Sequence, residues 1–521
     1  MPKRFPNIAL TPKEDGNPAV QLFGRRFFKD QTTLELLTEF LLLVTSKKSI
    51  DGNTFLDPLP SKDLLQGKWE THLEYLPKAR LNLKLFSFFG ASKLESRYPV
   101  HRKHLENLDK EIESRITCGD LRAENNPKTL EKLLLGFHGV GLERTWCAQT
   151  FLPVCKSLVA RESIWPRNKM PSDWEEGLAL FDFDKHDFYA RGGELIYLNL
   201  CNALRTEPES INEWVNKNGL ASFFTSDEKD PEILLKKLNQ GLANLFSDSP
   251  EALDKIADLI DKGIEMDTSA ETDKKWARCG WCPKETWPEG YLLAVEINRI
   301  LKAKLDIIDR LDLLEKACSM HVLRYLLTQA LRQLPGGNLQ MFPDYRLVIT
   351  SPTEQNGPVK KISGSTVRKT RKVLYDAIRA FDKTKGPKDF KKADDKYGLG
   401  LFVALAKRMD FILPKRGPGM RFVLNEKMVL LLLTTLMSGP RMTYERFKEA
   451  ARIHYGMAFD DRAISEAAQW VRGSEMGFVK GNVDEWLKNM LEEAGALRHL
   501  SDACAIVENL TAPDCEEARQ Q

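Results

Sequence analysis

The sequence has no long apolar run. A membrane-spanning helix needs about 20 consecutive apolar residues, and uninterrupted runs such as residues 40–44 and 428–433 are far shorter. The N-terminal segment MPKRFPNIALTPKEDG carries basic residues with no apolar core or cleavage site after them, so we predict no secretory signal. The nine cysteines are then expected to stay reduced. The sequence therefore predicts a cytoplasmic protein that does not enter a membrane.

The familiar catalytic motifs are also missing. There is no GxxxxGK[ST] phosphate loop, no GxGxxG, no HExxH and no GxSxG. One polar cluster stands out, and its members are Asp182, Asp184, His186, Asp187, Arg191 and Glu194. His186 beside a carboxylate would suit acid–base chemistry, although structural ion pairs produce the same pattern. We expect a non-catalytic protein and keep a nuclease or other hydrolase centred on His186 as an alternative.

Helical periodicity is abundant. Apolar residues recur at i, i+3 and i+4 in segments such as TTLELLTEFLLLV, DLLQGKWETHLEYL and HRKHLENLDKEIESRI. This pattern predicts a mainly α protein, with an N-terminal helical region over residues 1–150 and a central helical region over residues 151–350. The β-favouring residues Leu347, Val348, Ile349 and Thr350 predict a strand before a domain boundary near residue 350. The segment TEQNGPVKKISGS is then expected to be a linker, with Ser363 and Ser365 in flexible chain.

Two copies of one pattern follow the predicted boundary. Each has helices that lead into a short β-hairpin, FILPKRGPGMRFVL in the first copy and ALRHLSDACAIVENL in the second. A helix that runs directly into a hairpin is typical of winged helix-turn-helix domains. We therefore predict a basic winged helix over residues 360–424, a second winged helix over 425–510, and a disordered tail over 511–521.

Positive charge is concentrated in the first copy. The whole chain has a net charge of +3, whereas residues 360–396 contain thirteen Lys/Arg against five Asp/Glu, a local +8. Cations that neutralise phosphates provide most non-specific DNA affinity, although charged runs are also typical of solvated helix faces. The predicted contacts to the backbone of double-stranded DNA are Lys360, Lys361, Arg368, Lys369, Arg371, Lys372, Lys391, Lys392, Lys407, Arg408, Lys415, Arg416 and Arg421.

Sequence-specific reading of bases is not predicted for either copy. The third helix of the first copy, LGLFVALAKR, is mostly apolar and has no array of Arg, Asn or Gln that suits base edges. The helix before the second hairpin is acidic, with Asp484, Glu485, Glu492 and Glu493. Such a helix would be repelled by phosphates, so the second copy is expected to pack or to bind a partner protein.

Two spaced pairs could hold a structural zinc ion. Cys279 and Cys282 form a CxxC pair, and Cys318 and His321 form a CxxH pair on a predicted helix. Three thiolates and one imidazole make a common tetrahedral zinc set. The long spacer between the pairs is unusual, and Cys318 and His321 would also suit an ordinary helix core. The hypothesis is a Cys₃His zinc site.

The chain resembles a family of bacterial proteins over most of its length, and the segments RTWCAQTFLPVCKSLVARE and HDFYARGGELIYLNL are among those that carry the resemblance. The segments ILPKRGPGMRFVL, RMTYERFKEAARIHYGMAF and FVKGNVDEWLKNMLEEAGALRHLSDACAIVENL are similar to accessory, non-ATPase winged-helix proteins of anti-phage defence islands. Such proteins are encoded beside ATPases, methyltransferases or nucleases. The resemblance implies a DNA-binding or adapter subunit of an antiviral defence complex, with an ATPase or nuclease as partner. A winged-helix transcriptional regulator is the other alternative.

Overall fold

The computed structural model describes residues 2–9, 16–24, 27, 31–77, 79–81, 152–159, 161–163, 192–249, 251, 254–255, 276–334, 343, 345–354, 357–396, 398–472, 483–501 and 504–512. His186 with its neighbouring carboxylates, the predicted helix HRKHLENLDKEIESRI and the predicted tail beyond residue 512 lie outside these residues. The chain is mainly helical, with several small sheets. Within the described residues, no helix combines the length and apolar character required to cross a bilayer.

The body of the molecule is a helical assembly. Its helices are α1 (Pro18–Phe23), α2 (Thr33–Thr45), α3 (Lys62–Gln66), α4 (Gly192–Leu204), α5 (Pro208–Lys217), α6 (Pro231–Ala243), α7 (Trp287–Lys302) and α8 (Ile307–Arg332). Helix α2 begins with a capping box, in which Thr32 and Glu35 each accept a hydrogen bond from the other's backbone amide. Asp306 caps α8 by accepting from the Ile308 and Asp309 amides at 2.8 and 2.9 Å.

Strands also occur in the body, where only helices were predicted. They are β1 (Arg4–Phe5), β2 (Lys47–Ile50), β3 (Asn53–Phe55), β4 (Glu74–Leu76), β5 (Ala79–Leu81), β6 (Arg161–Ser163), β7 (Ala277–Arg278) and β8 (Cys282–Pro283). Strands β3, β2, β4 and β7 form an antiparallel sheet in that order. Strand β1 pairs with β8, and β5 pairs with β6 in parallel.

The helix predicted over DLLQGKWETHLEYL was therefore wrong beyond its first turns. Helix α3 ends at Gln66, the Gly67 amide donates to the Leu64 carbonyl, and the chain continues into β4. The Trp69 indole donates to the same Leu64 carbonyl at 2.6 Å and is buried. The apolar residues that suggested helical spacing thus fill the space beside a short helix and a strand.

The C-terminal region follows the predicted order of helices and hairpins. Its helices are α9 (Gly357–Phe381), α10 (Pro387–Lys396), α11 (Leu399–Arg408), α12 (Glu426–Leu436), α13 (Tyr444–Tyr455), α14 (Asp461–Arg472) and α15 (Glu485–Glu493). Its strands are β9 (Leu347–Thr350), β10 (Ile412–Leu413), β11 (Arg421–Val423), β12 (Arg441–Thr443), β13 (Met457–Ala458), β14 (Leu497–Ser501) and β15 (Cys504–Glu508). Strands β10 and β11 form the first hairpin, and β14 and β15 form the second hairpin.

The sheets tie these segments together. Strand β9 lies between β11 and β13 and is parallel to both, so a strand from before residue 350 belongs to the sheet of the first hairpin. The predicted flexible linker was wrong, because α9 begins at Gly357 and buries Ser363. Strands β12, β15 and β14 form a separate antiparallel sheet in that order. The predicted disordered tail begins too early, since Thr511 is buried and its carbonyl accepts from the Lys304 amide.

A single apolar core joins the body to the C-terminal region. It contains Leu37 of α2, Leu200 of α4, Leu292 of α7, Leu326 of α8 and Leu432 of α12, all essentially inaccessible to solvent. Helix α8 packs against α9, α11 and α12 as well as against the body helices α2 and α7. The face of α9 that carries the predicted cations is therefore the face turned away from this core.

Candidate nucleic-acid interface

Helix α9 separates apolar from basic side chains along its length. Its buried side chains, at Val359, Ile362, Ser363, Thr366, Val367, Thr370, Val373, Leu374, Ala377 and Ile378, recur every three or four residues. Lys361, Arg368 and Lys372 are exposed and lie at i, i+7 and i+11, which places them on one line of the opposite face. We call these three residues the cationic stripe. At a rise of about 1.5 Å per residue the stripe spans roughly 16 Å.

The first hairpin presents its turn to solvent. Lys415 and Arg416 are exposed, as are the three residues that follow them. Gly417 and Gly419 have φ angles of +89° and +83°, which side chains with a Cβ rarely adopt. An added Cβ at either glycine would meet no neighbouring atom within 4 Å. The turn thus projects from the sheet, and its shape depends on glycine conformation.

The cationic stripe and the first hairpin meet at Gly364. A Cβ built on Gly364 would lie 3.2 Å from the Met420 carbonyl oxygen of the hairpin and 3.7 Å from a guanidinium nitrogen of Arg368. One residue earlier, the buried Ser363 hydroxyl donates to the Val348 carbonyl at 2.7 Å and accepts from the Phe422 amide at 3.1 Å. Helix and hairpin are thereby fixed side by side, so the helix that carries the stripe packs against the strand that follows the hairpin turn.

Several predicted cations have no counter-charge in the described part of the chain. There, no ion-pair partner is found for Lys361, Arg371, Arg416, Lys391 or Lys392, and all five are exposed. Lys360 is half-buried. Lys391 and Lys392 lie on α10, beside α9. Cations left in water without a carboxylate raise the local potential and attract polyanions.

Three other cations of the first copy are only weakly engaged. Lys372 pairs with Asp376 at 3.2 Å, and Lys415 pairs with Asp410 at 2.8 Å, both in exposed surroundings. The Lys369 ammonium lies 5.9 Å from the centre of the Trp470 ring. Exposed ion pairs contribute about 0–1 kcal/mol, so a phosphate could compete for these cations.

Three predicted contacts bind carbonyl oxygens of the protein. Lys407 donates to the Lys415 carbonyl at 2.9 Å, Arg408 to the Gln31 carbonyl at 2.9 Å, and Arg421 to the Pro352 carbonyl at 2.6 Å. The first two belong to α11, which packs against α8 and α10 and has no exposed residue. Helix α11, the third helix of the first copy, buries Leu401, Phe402, Leu405 and Ala406 and leaves its other side chains partly exposed.

The second hairpin has a different electrostatic character, because most cations around it are paired. Arg441 pairs with Glu508 at 3.0 Å, and Arg452 pairs with Glu449 at 2.6 Å. Lys448 reaches three carboxylates, those of Asp484 (2.8 Å), Glu445 (2.9 Å) and Asp460 (3.4 Å). His499 contacts Glu492. These pairs cancel the positive charge that a phosphate would need.

The four predicted zinc ligands are all buried in the core. Cys279 directly follows β7 and Cys282 begins β8, whereas Cys318 and His321 lie within α8. Burial raises the pKa of the Cys282 and Cys318 thiols and lowers the pKa of His321 to about 3. The described residues contain no group of three or more His, Cys, Asp or Glu that could hold a metal ion. Zinc at these residues stays a prediction, which metal analysis of the purified protein would test.

Sequence reasoning missed an aromatic residue beside the predicted cations of α9. Tyr375 lies three residues after Lys372 on α9 and is 43% exposed. The Arg379 guanidinium lies 3.2 Å from the centre of the Tyr375 ring and also pairs with Asp394 at 2.7 Å. The i, i+4 spacing of Tyr375 and Arg379 is the signal that would have revealed this contact.

Comparisons with protein-family models, with curated proteins and with solved structures find no match to this chain.

Proposed function

We propose that this protein binds double-stranded DNA through its phosphate backbone, using the cationic stripe and the first hairpin of a winged-helix domain. The packing of α9 against the first hairpin at Gly364 carries the proposal. Lys361, Arg368, Lys372 and Arg416 are all exposed, on a helix and a hairpin that pack against each other. Cations that track phosphates release counterions and bind without regard to sequence.

The packing of α11 and the hydrogen bonds of its two cations bear on the mode of binding. A winged helix that reads sequence inserts this third helix into the major groove, but here α11 lies against α8. The Arg408 side chain is half-buried and donates to the Gln31 carbonyl. A transcriptional regulator that reads base edges is therefore disfavoured relative to a protein that follows the backbone.

The decisive experiment for DNA binding is a salt titration of binding to a fluorescent duplex. We expect Lys415→Glu combined with Arg416→Glu to weaken binding. It should also reduce the slope of log K against log salt by about 0.9 for each phosphate that the protein no longer neutralises. Arg498→Glu is a matched control, because Arg498 is equally exposed on the second hairpin. Unchanged affinity and slope in the double variant would remove the first hairpin from the interface.

The second winged-helix unit is proposed to bind a partner protein, in line with the resemblance to defence-island accessory proteins. Most of its cations are paired, and Leu500 on the second hairpin and Leu510 after it are 58% and 50% exposed. Exposed apolar side chains of this size suit a protein surface better than a phosphate. We propose an adapter in a cytoplasmic antiviral complex with an ATPase or nuclease encoded beside it. Co-expression with those proteins should yield a joint gel-filtration peak, and separate peaks would contradict the adapter role.

The hydrolase alternative is tested through His186. His186→Ala should leave the protein folded and without effect on any nuclease activity of the purified complex. A selective loss of cleavage would establish a catalytic site in this chain and overturn the non-catalytic proposal. Glu194 is a poor choice for such a variant, since its carboxylate is buried and accepts from the Tyr75 hydroxyl at 2.9 Å.

A further inference from the structure

Tyr375 is an exposed aromatic side chain within the cationic stripe. It follows Lys372 by three residues and Arg368 by seven, spacings that return to the same face of a helix. Few large apolar side chains of the described residues are exposed, and Tyr375 is 43% exposed. Proteins that bind single-stranded nucleic acids combine cations for the phosphates with aromatic side chains on which the bases stack.

The Tyr375 ring is held in place by its neighbours. The Arg379 guanidinium lies 3.2 Å from the Tyr375 ring centre and 5.1 Å from the Phe390 ring centre. Both terminal nitrogens of Arg379 donate to the Asp394 carboxylate, at 3.1 and 2.7 Å. This bidentate pair fixes the guanidinium, and the guanidinium supports one face of the ring. A ring ordered in advance loses little conformational entropy when a base stacks on it.

A continuous duplex cannot use such a ring, because its bases are stacked on each other inside the helix. An unpaired base next to the duplex can leave the stack and cover the ring, and such stacking contributes about 1–3 kcal/mol per base. We propose that the interface takes DNA with a duplex part and a single-stranded extension. The stripe and first hairpin follow the duplex phosphates, and Tyr375 stacks on an unpaired base. This inference rests on the proposed function and adds the class of DNA that is bound.

The experiment compares a blunt duplex with the same duplex carrying a short single-stranded extension. Wild-type protein should prefer the extended form, and Tyr375→Ala should lose that preference by roughly fivefold to a hundredfold. Tyr375→Phe keeps the ring and should retain the preference. Leu56→Ala, at an exposed apolar residue just after β3, should change neither affinity. A 2-aminopurine base in the extension should be quenched by wild type and Tyr375→Phe, and not by Tyr375→Ala.

Failure of this inference differs from failure of the proposed function. If blunt and extended duplexes bind equally and Tyr375→Ala behaves as wild type, the stacking role is wrong while backbone binding stands. If wild type binds neither DNA, or Lys361→Glu with Lys372→Glu changes nothing, the proposed function fails and the inference fails with it. Circular dichroism of each variant shows whether the protein has kept its helix content. If Tyr375→Ala does not fold, the comparison of wild type with Tyr375→Phe still tests the proposal.

Discussion

At the scale of single residues, Gly290 sets how closely two core helices approach. A Cβ built on Gly290 of α7 would lie 2.3 Å from the Asn199 carbonyl oxygen of α4, a backbone atom that cannot turn aside. We expect Gly290→Ala to lower the free energy of unfolding by about 1–3 kcal/mol or more through overpacking. Gly357→Ala is the control, because a Cβ there meets nothing within 4 Å. A urea titration with equal midpoints for the two variants would contradict this account.

His321 should make the protein less stable in acid. The ring is 1% exposed, and burial together with the nearby Arg324 lowers its pKa to about 3, while Glu296 opposes the shift. An unfolded histidine takes up a proton near pH 6.5, so below that pH the unfolded state binds more protons. The stability that the neutral ring contributes is therefore present above about pH 6.5 and is lost as pH falls towards about 3.

The measurement is urea denaturation between pH 7 and pH 4. Wild type should lose unfolding free energy with a slope that approaches about 1.4 kcal/mol per pH unit for each such histidine. His454 is also buried with a lowered pKa and contributes in the same direction. His321→Gln should reduce the slope without removing it. An identical slope in variant and wild type would show that His321 is not the group that titrates.

At the scale of elements, Ser363 joins α9 to the sheet of the first hairpin. Its hydroxyl bonds one carbonyl of β9 and one amide of β11, both buried. Ser363→Ala leaves these groups without that partner and should cost about 1–3 kcal/mol for each. Ser365→Ala is matched on the same helix, because its hydroxyl donates to the Lys361 carbonyl and accepts from Arg368, both within α9. Equal thermal stability of the two variants would contradict the bridging role.

Local sequence patterns predicted several elements correctly, whereas the start of α9 depends on segments that are distant in sequence. The apolar periodicity of α2, the predicted helix with Cys318 and His321 and the glycine-containing turn of the first hairpin are local patterns, and the two helices and the hairpin that they predict were confirmed. The predicted start of α9 was wrong, because Gly364 and Ser363 suggest a flexible linker where the helix has already begun. In the structure the glycine admits the Met420 carbonyl and the serine bonds two strands. The need for a small residue arises only from segments distant in sequence.

The sequence allowed the basic composition of the candidate interface to be predicted, but not which of its cations face solvent. Charge counting identified the basic run, and Lys361 and Arg416 are exposed as phosphate contacts must be. The same counting included Arg408 and Arg421, which donate to backbone carbonyls of distant segments. An arginine that binds a carbonyl far along the chain looks no different in sequence from one that faces solvent.

At the scale of the whole molecule, buried ion pairs connect the body to the C-terminal region. Arg324 of α8 donates to both oxygens of Glu296 of α7, at 2.6 and 3.1 Å, and both residues are inaccessible. His454 of α13 lies 3.9 Å from the same carboxylate. Although burial alone would raise the pKa of Glu296, Arg324 and His454 lower it to about 2. The contribution of this carboxylate to stability is thus present above about pH 4.5 and is lost as pH falls towards about 2.

A substitution of Arg299 in α7 tests whether the body and the C-terminal region depend on each other for stability. Arg299 pairs with Glu228 at 2.8 Å and donates at 2.6 Å to two carbonyls, those of Phe223 in the body and Thr435 in α12. Arg299→Met leaves the Glu228 charge buried and unpaired, which typically costs about 3–5 kcal/mol. Arg441→Met breaks an exposed pair with Glu508 and should cost about 0–1 kcal/mol. If the two regions depend on each other through Arg299, Arg299→Met lowers the denaturation midpoint reported by probes in both regions. A lower midpoint in one region alone would show that the two regions unfold independently.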